Sequence, residues 1–166
     1  MPAAPSRVYE IRHTFRAPLD YVFAWCTDYT ARDARYAGEG YVRRILKRTS
    51  RKVVYEDLYD TPHGWTWSHQ VVALRPPDLW RNEAIGSHRA WSIDYRLSAL
   101  PDGRTELHFK GRRWPTAIAA NPPKARLERE LRTLWRHLGA SLERDYRAGR
   151  PARDPVRRSR RRRSRA

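Results

Sequence analysis

The stretch "GWTWSHQVVA" at positions 64–73 alternates with the period of an extended strand: Trp65, Trp67, His69 and Val71 fall on one side, and Thr66, Ser68, Gln70 and Val72 on the other. Two tryptophans and a histidine on one side leave three readings of that face: a packed core, the wall of a ligand cavity, or a platform on which nucleic-acid bases stack. Around it the chain reads as further strands, "YVRRILKRT", "KVVYEDLYD", "LWRNEAIG", "RAWSIDYRLSA" and "TELHFKGR", with "SR", "TPHG", "PPD", "GSH" and "PDG" between them. Connections this short join antiparallel neighbours, so a meander is expected from Tyr41 onward.

Hairpin partners must agree about which face is buried. Closing the chain at "PPD" sets Ala73 opposite Trp80, Val71 opposite Asn82 and His69 opposite Ala84. The next turns set Asn82 opposite Trp91, Trp80 opposite Ile93, Tyr95 opposite Phe109 and Leu97 opposite Leu107. One face then gathers Trp65, Trp67, His69, Trp80, Trp91, Ile93, Tyr95, Leu97 and Phe109, while Gln70, Arg81, Glu83, Asp94 and Lys110 take the other. That two-sidedness predicts a sheet covered on one face only. It also argues against a stacking platform, because Trp67 and His69 then point inward and a platform needs an exposed face.

The flanks change period. "VYEIRHTF" at 8–15 alternates Tyr9, Ile11, His13 and Phe15 as a half-buried strand. After Pro18, the three- and four-residue spacings of Leu19, Val22, Phe23 and Cys26 predict a short helix with Asp20 near its positive end. "TARD" at 30–33, an acidic variant of the capping box, opens a second. "WPTAIAANPP" then leads into a long amphipathic helix with Asn121 as its cap and an apolar stripe of Leu127, Leu131, Leu134, Trp135, Leu138 and Leu142.

A strand, two short helices, six antiparallel strands and a long C-terminal helix resemble the START-like or SRPBCC superfamily. "APLDYVFAWCTD" at 17–28 is similar to its Ala-Pro followed by Val, an aromatic and a later Asp. "DGRT" at 102–105 is similar to its Gly-Gly-Thr turn, with Arg104 where a second Gly is usual. The resemblance covers residues 7–146 and implies an α+β helix-grip fold: a curved antiparallel sheet of about seven strands wrapped around the long C-terminal helix, with two short helices after the first strand, around a mostly apolar cavity. The superfamily includes pollen allergens, lipid-transfer domains, coenzyme Q-binding proteins and polyketide cyclases. It has no shared catalytic set, so no activity comes with the fold.

Composition bounds the rest. With 166 residues, 40% of them hydrophobic, the chain is expected to form one domain. It divides into a flexible N-terminus at 1–6, a ligand-binding domain at 7–146 and a disordered Arg-rich tail at 147–166. The formal charge is +17, and the tail holds about half of it, with ten arginines against one aspartate. So dense a run of like charge favours non-specific contact with RNA or DNA through the arginines from Arg147 to Arg165, or simple solubilisation. A single Cys26, no signal-peptide pattern and no membrane-spanning stretch predict a cytoplasmic protein.

The function expected on these grounds is binding of a small hydrophobic or amphipathic ligand, as carrier or sensor, by His13, Tyr55, Trp67, His69, Trp91, Tyr95, Phe109, Leu131 and Trp135. A cyclase or dehydratase using the same cavity is the alternative, with His13, His69, Tyr55 or Asp57 moving protons. A third reading is an interaction scaffold with a nucleic-acid-binding tail. If Asp57 faces inward it needs a partner such as Arg44 or a tyrosine hydroxyl. Cys26 sits on an apolar stripe and reads as a small buried hydrophobe. His63 and His69 lack supporting ligands, so no metal is expected, and no cofactor is implied.

Overall fold

Alternating burial runs through the strands, and it determines what faces the helices. The computed structural model describes residues 5–30, 33, 40–61, 64–87, 90–116 and 119–152. Along them lie β1 (Arg7–Phe15), α1 (Leu19–Cys26), β2 (Tyr41–Arg48), β3 (Lys52–Thr61), β4 (Gly64–Arg75), β5 (Leu79–Gly86), β6 (Ala90–Ala99), β7 (Thr105–Trp114) and α2 (Lys124–Arg147). All six pairings are antiparallel, in the sheet order β1-β7-β6-β5-β4-β3-β2. The first strand therefore closes beside the last, and the chain crosses the whole sheet between β1 and β2.

Pro18 precedes the first turn of α1, which buries Val22 and Phe23 against the core. The second short helix expected at 30–33 falls largely outside the described residues, as does the tail from 153. No helix among the described residues is long and apolar enough to cross a membrane.

Asn121 does not cap α2. The helix starts after Pro123 with no side-chain cap, and Asn121 Nδ2 instead donates to the carbonyls of Pro5 (3.2 Å) and Arg113 (3.3 Å), tying the connection to β7 and to the residues that precede β1. Pro122 and Pro123 have no N–H to leave unpaired at this entry. α2 lies along β1 and buries Leu127, Trp135 and Leu142. Close approach requires Gly139: a Cβ there would stand 2.4 Å from His13 Nε2. Two glutamates clamp the pair, with Glu128 accepting from the backbone N–H of Glu10 (3.1 Å) and Glu143 from that of Arg16 (2.9 Å).

The register of β4 differs from the sequence reading. Leu74 pairs with Trp80, Val72 with Asn82 and Gln70 with Ala84. The loop from Arg75 to Leu79 holds Pro76, Pro77 and Asp78, one residue more than the expected pairing allows. A slip of one residue exchanges the faces of a strand. Thr66, Ser68, Gln70, Val72 and Leu74 are consequently buried, and Trp65 and Trp67 stand on the outer face, 67% and 47% exposed. Between β5 and β6 the slip is two residues, Trp80 meeting Tyr95, which leaves the faces unchanged. Across β6 and β7, Tyr95 meets Phe109 as expected.

Candidate functional site

Because α2 leans on β1, the inner face of the strands farther along the sheet stays uncovered by helix, and a cavity of about 720 Å³ opens there. That is ample for a small organic molecule. Its apolar wall is aromatic. Trp80 and Tyr95, neighbours across β5 and β6, stack at 4.7 Å and 6°, and Phe109 meets Tyr95 edge-on at 4.9 Å. From α2, Trp135 turns its edge toward Tyr95 and Phe109 at 6.1 and 6.3 Å. Leu131 and Leu134 complete that side.

Toward β2 and β3 the wall becomes polar. Alternation on β3 sends Val53, Tyr55, Asp57 and Tyr59 inward, and β2 contributes Arg43 opposite Asp57. Arg43 Nε and Nη2 donate to the two oxygens of Asp57 at 2.8 and 2.9 Å, and Nη1 bonds to Asp33. The guanidinium lies 4.1 Å from the Tyr55 ring centre and 5.1 Å from that of Tyr41. Both ends of the Arg43–Asp57 bridge are dry, at 7% and 1% side-chain exposure. Burial by itself would lower the pKa of Arg43. The hydrogen bonds to Asp57, the surrounding tyrosines and Asp33 outweigh it and raise the pKa, so Arg43 stays a cation. Burial pushes Asp33 up against the pull of Arg43, and pushes the Tyr55 and Tyr41 hydroxyls up.

The network continues inward. Asp57 also accepts from Gln70 Nε2 (3.0 Å) and the Tyr59 hydroxyl (3.3 Å). Gln70 Nε2 reaches Ser68 Oγ as well, at 3.1 Å. Gln70 Oε1 accepts from the Tyr55 hydroxyl at 2.6 Å and from Asn82 Nδ2 at 3.0 Å. At the end where α1 meets α2, Trp25 Nε1 and Arg150 Nη1 donate to Asp145 at 3.2 and 2.9 Å, and Arg150 and Pro151 join the cavity lining.

Several solved structures share the fold that carries this cavity. The Zhui aromatase/cyclase from Streptomyces sp. R1128 superposes with a TM-score of 0.65 at 17% identity, over 87% of this chain and 98% of its own. A START superfamily protein from Mycobacterium smegmatis gives 0.58 at 12%, over 82% and 94%. The di-domain aromatase/cyclase StfQ of the steffimycin biosynthetic pathway gives 0.65 at 15%, over 83% of this chain and 45% of its own. The fold is the START/SRPBCC-like helix grip. No protein-family model and no curated protein sequence matches the chain, so the likeness is one of architecture.

Within this helix grip the residues singled out from sequence separate into two groups. Tyr55, Trp91, Tyr95, Phe109, Leu131 and Trp135 line the cavity. Trp67 and His69 do not, because the β4 register turns them outward; His69 Nδ1 lies 3.6 Å from Glu56 on that outer face. His13 points inward but beneath α2, edge-on to Phe15 at 4.7 Å, where burial lowers its pKa. Asp57 takes Arg43 as its partner, whereas Arg44 reaches Glu56 on the outer side at 3.4 Å. Cys26 stands on the lining with its thiol pKa pushed up by burial, which keeps it protonated and unreactive. Arg43, Asp33 and Gln70 are site residues that the sequence reading missed. The column Thr66, Ser68, Gln70 was the available signal for Gln70 once β4 is placed in register. Among the described residues, no three His, Cys, Asp or Glu side chains are grouped to hold a metal ion.

Proposed function

We propose that this helix-grip cavity binds a small aromatic or amphipathic molecule, and that the protein acts as a carrier or sensor of it. The observation that supports this reading is an aromatic cavity in which the buried cation Arg43 is already bonded to both Asp57 and Asp33. A proton-transfer enzyme needs a group free to exchange a proton near the operating pH. His13 and His69 lie off the cavity, Asp57 is held by Arg43, Gln70 and Tyr59, and the Tyr55 hydroxyl donates to Gln70 with a raised pKa. A cyclase or dehydratase is the second reading, favoured by aromatase/cyclases among the similar folds. In it the walls would act by shaping a flexible substrate.

A hydrophobic fluorescent probe should bind saturably and quench tryptophan emission, and Leu131→Arg should abolish that binding in a protein that remains folded. Unsaturable binding, or binding indifferent to Leu131→Arg, would remove the reading. Recovery of a bound ligand chemically unchanged after long incubation separates carrier from enzyme. For the arginines of residues 147–166 the proposal is non-specific contact with RNA or DNA. It predicts that deleting them lowers the salt dependence of binding to a given RNA, by about 0.7 to 0.9 in logarithmic slope for each phosphate that they neutralise.

A further inference from the structure

We propose that Asn82 is the specificity-determining residue of this cavity, and that its Oδ1 accepts a hydrogen bond from a hydroxyl on an uncharged aromatic ligand. The inference rests on the cavity being a binding site. It follows from the direction of the hydrogen bonds. A carboxylate paired with a guanidinium accepts and does not donate, so Asp57 requires the Nε2 side of Gln70. That turns Gln70 Oε1 toward Tyr55 and Asn82, where only donors satisfy it. The Tyr55 hydroxyl supplies one and Asn82 Nδ2 the other. Turning the Asn82 amide over would set oxygen against oxygen. The chain from Asp57 through Gln70 thus ends at Asn82 Oδ1, an acceptor with no hydrogen-bond partner on a residue 4% exposed in the cavity lining.

A buried acceptor without a donor is costly, and natural structures rarely leave one. The group that relieves it must donate. An anionic headgroup cannot, and the cation nearest this network is already committed, since all three nitrogens of Arg43 bond to carboxylates. Asn82 is flanked along β5 by Trp80, whose ring stacks on Tyr95, so a flat aromatic ligand lying against those rings brings a ring hydroxyl toward the amide. The matching ligand is a neutral phenol-like compound rather than a fatty acid.

Calorimetric titration of the full chain with 2-naphthol, 2-methoxynaphthalene and 2-naphthoate tests this. The naphthol should bind about tenfold more tightly than its methyl ether, which has the same ring and no donor, and more tightly than the carboxylate. In Asn82→Leu the hydroxyl-to-ether ratio should fall to about one while affinity for the ether stays within about threefold. Equal binding of naphthol and ether to the natural protein, tighter binding of the carboxylate, or a ratio that survives Asn82→Leu would overturn the inference and leave the cavity reading standing. Saturable binding of none of the three removes both. Should Asn82→Leu not fold, the side-chain amide resonances of Asn82 in the natural protein decide. A shift with naphthol and none with the ether supports the assignment, and no shift with either refutes it.

Discussion

The two faces of β4 invert the usual expectation. Its outer face carries Trp65, Trp67 and Val71, and its inner face carries Thr66, Ser68 and Gln70, all three buried. A strand whose largest apolar residues face outward is stable here because Gln70 at its centre is fully bonded, to Ser68, Asp57, Tyr55 and Asn82, although Thr66 Oγ1 has no partner. Outside, Trp67 lies in register with Leu58 and, beyond it, Val42, so these exposed side chains are cross-strand neighbours. Val72 and Leu74 share the buried face, so apolar burial and hydrogen-bond completion both act on this strand, and only the second is directional.

That contrast can be broken by substitution. Asp57→Ala should be the most damaging change, costing about 3–5 kcal/mol in chemical denaturation, because it removes two of the three carboxylate contacts of the buried Arg43 and leaves it Asp33 alone. A loss under about 1 kcal/mol would mean that water enters and solvates Arg43. Next comes Gln70→Leu, expected to cost about 1–3 kcal/mol by leaving Asn82 and Tyr55 without their shared acceptor. His13 gives a smaller, pH-dependent effect. Burial lowers its pKa below 6.5, so as pH falls the unfolded chain takes up the proton first. Its contribution is complete above about 6.5 and is lost as pH falls from there through the lower folded value. The slope of unfolding free energy against pH below 6.5 should therefore flatten in His13→Phe. Least of all, Trp65→Ser on the outer face should change stability by no more than about 0.5 kcal/mol. A cost several times larger would show that the outer tryptophans are core after all.

The architecture was legible because it is written locally. Periods of two and of three to four residues mark each strand and helix without reference to any other part of the chain. At "PDG" the pairing was also legible: Gly103 takes φ +79°, its N–H bonds to Leu100 O, and the Leu97–Leu107 and Tyr95–Phe109 pairs follow. At "PPD" no residue announces whether the loop holds two residues or three, and that single residue decides the face of all of β4. The aromatic half of the cavity, Tyr95, Phe109 and Trp135, depends on the pairing of β6 with β7, which came out as expected, and on the apolar stripe of α2; the two-residue slip between β5 and β6 left its facing unchanged. The polar half depends on β2, β3 and β4. There a shift in pairing between Ile45 and Lys47 and the loop at Pro76 hid the meeting of Arg43, Asp57 and Gln70.

The sheet has two open sides, and the chain protects them by different means. β2 carries its own deterrents against the approach of another strand, in the charges of Arg44, Lys47 and Arg48 and the irregularity after Ile45. β1 borrows its protection from α2, whose Glu128 and Glu143 occupy backbone N–H groups that another strand would use. Protection of that edge is thereby coupled to helix docking. Whatever loosens α2 uncovers "RVYEIRHTF" as a ready template for a second copy, while the far side of the molecule stays inert.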